Sequence, residues 1–188
     1  MPIKSITYKL RNFNCSCCIK WLNHCFEQAN VDVVAMEFGF VSVNVKDDKK
    51  ALEVIGNAGF EVLTDKNLIK VEAIKQAVYE IVYLQNNQNS IIQKADYLIE
   101  KLGMSYQSIS KLFSKYNDIT LEKYFIKHKI EKIKDLIEAD DYTLSEIAYI
   151  MDYSSVQHLS NQFKKETSYS FTEYIQLDSK PRIDLSLL

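Results

Sequence analysis

Past residue 25 the chain has no cysteine: Cys15, Cys17, Cys18 and Cys25 all fall within "NCSCCIKWLNHC". Its two prolines, Pro2 and Pro181, stand near the ends, and its two arginines are Arg11 and Arg182. Each scarcity excludes something. A thioredoxin-like redox site usually sets a cis-proline against its thiols, and no internal proline is available for that. No apolar run approaches the roughly 20 residues that a membrane-spanning helix needs. The opening "MPIKSITYKLRNFN" lacks the apolar core of a secretory signal. A cytoplasmic location is therefore expected, where thiols stay reduced. Clustered cysteines there point to metal or redox chemistry before disulfides. Few arginines beside abundant Lys, Ile, Asn and Tyr is the bias an AT-rich genome imposes. His24, His128 and His158 lie far apart with no nucleophile–base pairing, so no enzyme is expected.

What is present suits a folded, soluble chain of two small domains or one of ordinary size: 188 residues, 47% hydrophobic and 26% charged. A net charge of -2 gives no sign of a polyanion partner. In "ITYKLRNF" Ile6, Tyr8 and Leu10 alternate with polar residues, the period of a half-buried strand. From Cys18 the period changes, and Cys18, Ile19, Leu22, Cys25, Phe26 and Ala29 share one side of a helix. "VDVVAMEF" and "FVSVNV" form a hairpin about Gly39. Ala51, Leu52 and Ile55 mark a second helix, capped by Asp47 or Asp48, and "EVLTD" is a last short strand. The fold class expected is α+β. Residues 1–65 form a βαββαβ ferredoxin-like sandwich, a connecting helix spans 66–89, and 90–188 is an all-α unit.

Cys15 falls in the loop after the first strand and Cys18 opens the helix, where unpaired N–H groups and the helix dipole favour a thiolate. Two thiolates at C-x-x-C spacing on that corner can face one soft ion. Cys25 lies two turns further along, roughly 10 Å at ~1.5 Å per residue. Metal–sulfur bonds of about 2.3 Å cannot bridge that gap, so Cys25 is expected in the apolar face. Cys17 is either a third ligand or a bystander, and His24 is expected to be solvated. Structural zinc takes four ligands where this loop offers at most three thiols, so Cu(I) fits better, with zinc or another thiophilic ion as alternatives.

The "NFNCSCCI" loop, the βαββαβ order and "NAGFEV" before the last strand resemble the heavy-metal-associated domain of copper chaperones and metal-pumping ATPases. That resemblance implies a soft ion, usually Cu(I), held by Cys15 and Cys18. Phe13 stands where the family commonly has Met, and Asn12 where it usually has Gly.

"KNLIKVEAIKQAVYEIVYLQ" reads as one helix whose Val71, Ile74, Val78 and Ile81 offer a homodimer seam or a face for a neighbouring domain. The polar break "NNQNS" follows as a candidate boundary. Beyond it the chain repeats at a shift of fifty positions. Ser105 matches Ser155, Ile109 Leu159, Ser110 Ser160, Phe113 Phe163, Lys115 Lys165, Thr120 Ser170, Leu121 Phe171 and Tyr124 Tyr174. Each copy reads as helix, tight turn and second helix, the first turning at Gly103 and the second at Asp152 and Tyr153. "LEKYFIKHKIEKIKDLIEAD" joins them, with Ile130, Ile133 and Ile137 in a buried stripe. Lys123, Lys127, His128, Lys132 and Lys134 form its expected basic surface. At ~1.5 Å per residue it spans about 28 Å, enough to set two helices near one turn of B-DNA apart.

The repeat, the joining helix and "LSEIAYIMDYSSVQHLSNQFKKETSYSFTEYI" resemble the DNA-binding domain of AraC-type regulators over residues 90 to 177. Asp152 and Ser168 replace glycines of that family, and Phe171 replaces a proline. The resemblance implies double-stranded DNA as partner and contacts from the outer face of each second helix. On this chain those are Gln107, Ser110 and Lys111, then Ser155, Gln157, His158, Ser160, Asn161 and Lys164, with Lys165 beside it. Gln and Asn can pair with adenine edges, while Ser and Lys can hold phosphates. Residues 85–188 nonetheless carry slightly more acidic than basic side chains, so nonspecific attraction to DNA should be weak. Together these point to a soft-metal-responsive, sequence-specific transcription regulator. The alternatives are a metal chaperone or buffer, and a regulator whose N-terminal domain binds protein instead of metal.

Overall fold

In β1 (Lys4–Leu10) the alternation holds, with Tyr8 and Leu10 buried and Thr7 and Lys9 turned out. The computed structural model describes residues 4–46, 48–84 and 91–185. After β1 come α1 (Ser16–Gln28), β2 (Asp32–Glu37), β3 (Phe40–Val45), α2 (Asp48–Asn57) and β4 (Val62–Leu63). The strands form one antiparallel sheet in the order β2-β3-β1-β4. Leu10, Phe13, Leu22, Phe26, Val41, Val43, Ala51 and Ile55 fill its core. Gly39 makes the hairpin turn at φ 82°, which a side chain would strain. Asp48 opens α2, whereas the other candidate cap, Asp47, and the break "NNQNS" lie outside the described residues.

The connector is not one uniform helix. It runs as α3 (Lys66–Tyr79) and then as a π-helical turn, Glu80–Leu84. Asp65 caps α3 by accepting the Asn67 and Leu68 amides at 2.6 and 3.1 Å. Two compact units divide within this stretch, between Gln76 and Ala77. Val71, Ile74, Val78 and Ile81 are all buried within the single chain. The dimer seam expected from their spacing is therefore already used by the chain's own packing.

The second unit continues with α4 (Ile91–Leu102), α5 (Tyr106–Tyr116), α6 (Leu121–Ala139), α7 (Leu144–Ile150), α8 (Val156–Thr167) and α9 (Phe171–Ile175). The fifty-residue repeat proves to be one of packing and capping. Ile109, Leu159, Phe113, Phe163, Tyr124 and Tyr174 are fully buried. Ser105 and Ser155 cap α5 and α8 by accepting the Ser108 and His158 amides. Thr120 and Ser170 cap α6 and α9 in the same way. Among the described residues no helix is long and apolar enough to cross a membrane.

The surface expected of α6 needs correction. His128 is buried, packed edge-on against Tyr124 at 4.5 Å and Tyr83 at 5.9 Å. Lys134 is buried too, donating to Glu131 at 2.6 Å and to the Pro181 carbonyl at 2.8 Å. Lys123 is paired with Glu166 at 2.7 Å, and Lys132 lies over the Tyr83 ring. The lysine stripe is thus largely spent on internal partners. Arg182 clamps the end of the described chain onto α6, reaching Asp135 at 2.8 Å and Glu138 at 2.7 Å.

Three positions singled out as replaced glycines share one backbone feature. Asn12, Asp152 and Ser168 have φ of 53°, 54° and 69°, in the left-handed region. Asn and Asp tolerate it through local hydrogen bonding, whereas Ser carries the Cβ clash with less relief. Ser168→Gly should therefore stabilise the second unit by about 0.5–1 kcal/mol. Its thermal midpoint should rise by a few degrees, and a fall would mean the Ser168 side chain holds the turn.

Candidate thiol and nucleic-acid sites

α1 begins at the thiol corner because Cys15 takes the capping position, its Sγ accepting the Cys18 amide at 3.1 Å. Capping turns the Cys15 side chain toward the first helical turn, and the Cys15 and Cys18 sulfurs come to 2.7 Å. Cys17, exposed on the same turn, completes a group whose three sulfurs all lie within 4.8 Å of one another. A soft ion about 2.3 Å from each of three coplanar sulfurs would separate them by ~4 Å. The donor set therefore fits a two- or three-coordinate thiophilic ion after small side-chain adjustments. Among the described residues neither Cys25 nor His24 joins this group, so it offers no fourth ligand. Cys25 is half-buried, not sealed in the core as expected.

Beneath the thiols the loop is firmly seated. Phe13, in the place where the resemblance led one to expect Met, is buried edge-to-face against Phe60 at 5.0 Å. It belongs to the core of the first unit, so a position that could have offered a thioether near the thiols instead packs among apolar neighbours. The Asn12 amide donates to the Glu72 carboxylate at 2.8 Å, and the Gly39 amide donates to the Phe13 carbonyl at 2.7 Å. Burial pushes the Glu72 carboxyl above its ordinary range, against the pull of the Asn12 hydrogen bond and of Lys75 at 4.0 Å. Trp21, the one tryptophan of the chain, is exposed one helical turn beyond Cys17.

In the second unit α5 and α8 turn matching faces outward. Gln107 and Lys111 are exposed on α5, and Gln157, His158, Asn161, Lys164 and Lys165 on α8. Gln157 donates to Asn161 at 2.8 Å, so the two amides stand side by side. His158 is held by Ser154 at 3.1 Å and by the Tyr153 ring. Ser110 and Ser160 are half-buried on the flank of each face, and the Ser155 hydroxyl is committed to capping α8. Three exposed residues of α5 were missed: Ser108, Ser114 and Lys115. The repeat could have found them, since they are the fifty-residue counterparts of His158, Lys164 and Lys165. Lys129, over the Tyr153 ring at 4.2 Å, is pulled down to about 8 by burial and by Lys94, with Asp152 opposing.

Residues 98–176, a span that takes in both copies, match the family model described as a helix-turn-helix domain. The chain is also 26% identical over 117 residues to the Xylose operon regulatory protein of Escherichia coli strain K12. Proteins of the same name from Escherichia coli O6:H1 and O157:H7 match equally. The aligned stretch is 62% of this chain but only 29% of those relatives. No solved structure matches.

The capping role separates Ser155 from its neighbours. Ser155→Ala should cost about 1 kcal/mol of stability, the usual loss of a helix cap. It should leave base preference unchanged, whereas Asn161→Ala should do the reverse. Thermal melts and binding to a panel of single-base operator variants would report the two effects independently.

Proposed function

We propose that the chain is an AraC-type transcription regulator that reads double-stranded DNA with both helix-turn-helix copies and answers to a soft metal ion, Cu(I) first. The observation that carries the DNA reading is the pair of equivalent polar faces on α5 and α8 within the matched helix-turn-helix domain. Gln157 and Asn161 are suited to adenine edges and Lys111, Lys164 and Lys165 to phosphates. α6, about 28 Å long at ~1.5 Å per residue, would set the two faces into successive major-groove segments. Such a regulator works where DNA is, in a reducing compartment that keeps the thiols ready.

The metal reading rests on the three sulfurs within 4.8 Å of one another. The four-stranded order β2-β3-β1-β4 with two helices supports taking the first unit as a ferredoxin-like domain of the heavy-metal-associated kind. Cys15 and Cys18 would hold the ion and Cys17 would close the set. Zinc is a weaker occupant because no fourth ligand joins the group among the described residues. A second reading, a metal chaperone or buffer, draws on the ion pairs that neutralise lysines of α6. DNA binding decides between them.

The metal reading is tested by Cu(I) titration of the reduced protein under anaerobic conditions, followed through Trp21 fluorescence. Quenching that saturates near one equivalent is expected. It should be lost in Cys15→Ser and Cys18→Ser, weakened in Cys17→Ser and retained in Cys25→Ser. Equal loss in Cys25→Ser would overturn the assignment. For DNA, a footprint over two successive groove segments is expected, with Lys164→Ala lowering the salt slope by about 1. A footprint over one segment would mean a single copy is used, and none at all would favour the chaperone.

A further inference from the structure

α3 carries two polar side chains, four residues apart and so on one face, that both end on backbone of the first unit. Glu72 accepts the Asn12 amide at 2.8 Å, and Gln76 Nε2 donates to the Phe38 carbonyl at 2.7 Å. These two anchor points belong to one stitched patch. Phe38 adjoins Gly39, whose amide donates to Phe13 and whose carbonyl accepts the Leu10 amide at 2.9 Å. Asn12 is three residues before Cys15 and sits at φ 53°. α3 thus grips the root of the thiol loop and the hairpin turn beside it.

Holding a carboxylate there is costly. The Glu72 side chain is only 12% exposed, and a buried carboxylate carries a desolvation penalty unless partners offset it. An apolar residue at position 72 would pack without that cost but would not fix the loop. The continuation of the same helical stretch is anchored just as specifically within the second unit. Glu80 accepts from the Tyr97 hydroxyl and from Lys101, and the Tyr83 hydroxyl donates to the His128 carbonyl at 3.3 Å. The π-helical turn that carries Glu80 and Tyr83 is of a kind that often marks functional positions.

We propose that Glu72 and Gln76 form a latch that passes the state of the thiol loop to α3, and so to the DNA-binding unit. Closing Cys15, Cys17 and Cys18 on one ion requires the 12–15 loop to follow its sulfurs. The first backbone group to feel that shift which is tied to α3 is the Asn12 amide. The bond to Glu72 transmits it, while Gln76 fixes the hairpin turn as the point against which α3 moves. The proposal rests on the reading of the thiol loop as a metal sensor.

The test uses the full chain with four proteins: wild type, Glu72→Ala, Glu72→Gln and Gln76→Ala. Hydrogen exchange on the metal-free proteins reports the latch without any metal. Glu72→Ala should raise exchange at least tenfold in residues 11–15 and in the first half of α3, and Glu72→Gln should preserve most of the protection. Cu(I) affinity, measured by competition with a chromophoric chelator, should change less than threefold in all variants. Affinity for a duplex selected from random DNA by the wild-type protein should depend on Cu(I) in wild type and in Glu72→Gln. In Glu72→Ala and Gln76→Ala the ratio of loaded to metal-free affinity should fall to within twofold of one. An unchanged ratio in those two variants, or unaltered exchange in Glu72→Ala, overturns the latch. A wild-type protein that binds no Cu(I), or whose DNA affinity ignores it, overturns the sensor reading and the transmission role together. The exchange result then still shows whether Glu72 holds the loop.

Discussion

The buried stripe of α6 orients what the second unit presents to solvent. Tyr124, His128, Ile130, Ile133 and Ile137 are all closed off from water, and α5 and α8 both pack on this helix. Because side chains on one helix face hold fixed angular offsets, the α5 contact and the α8 contact are set relative to each other by helix geometry alone. Repacking that stripe would shift the outward face of α5 against that of α8. It follows that α6 presents less basic surface than its lysines suggest, since Lys134 is buried while Lys123, Lys127 and Lys132 are only half-buried. Its interior obligations, the Glu131–Lys134 pair beneath Pro181 and the Lys123–Glu166 pair, take up much of its charge. Under the proposed function, attraction to DNA then falls to the exposed lysines of α5 and α8, Lys111, Lys115, Lys164 and Lys165, of which Lys115 and Lys165 stand at equivalent places.

The thiol corner follows the same economy. One sulfur, that of Cys15, both caps α1 and faces Cys18, so the residue that starts the helix also starts the site. Phe13 seals the core below, and the loop's backbone is pinned by Glu72 and Gly39. The thiols are therefore presented by a seated loop that the Asn12–Glu72 hydrogen bond ties to the connector.

Much of this was legible because it depends on local chemistry. Strand alternation at Tyr8 and Leu10, the turn at Gly39 and the repeat of caps and core aromatics are all carried by neighbours within a few residues. What was not legible depends on partners distant in the chain. His128 and Lys134 look like surface residues until Tyr83 and Pro181 are brought against them. Val71 to Ile81 look like a seam for a second chain until their own chain covers them. The Glu72–Asn12 bond joins positions sixty residues apart, with no periodicity to reveal it. Ser155 is a different case. Its place just before an apolar-periodic helix is itself the sequence signal of a cap, the role its hydroxyl takes at α8.

The proposed function requires the thiols and the outward faces of α5 and α8 to form one thermodynamic system. It is tested most directly by titrating one operator duplex with metal-free and with Cu(I)-loaded protein, reduced and anaerobic, at a single salt concentration. The account predicts affinities that differ by roughly 5- to 150-fold, the usual range of allosteric coupling, with operator DNA changing Cu(I) affinity by the same factor. Identical DNA affinities for the two forms, with both copies still engaged on the duplex, would contradict it.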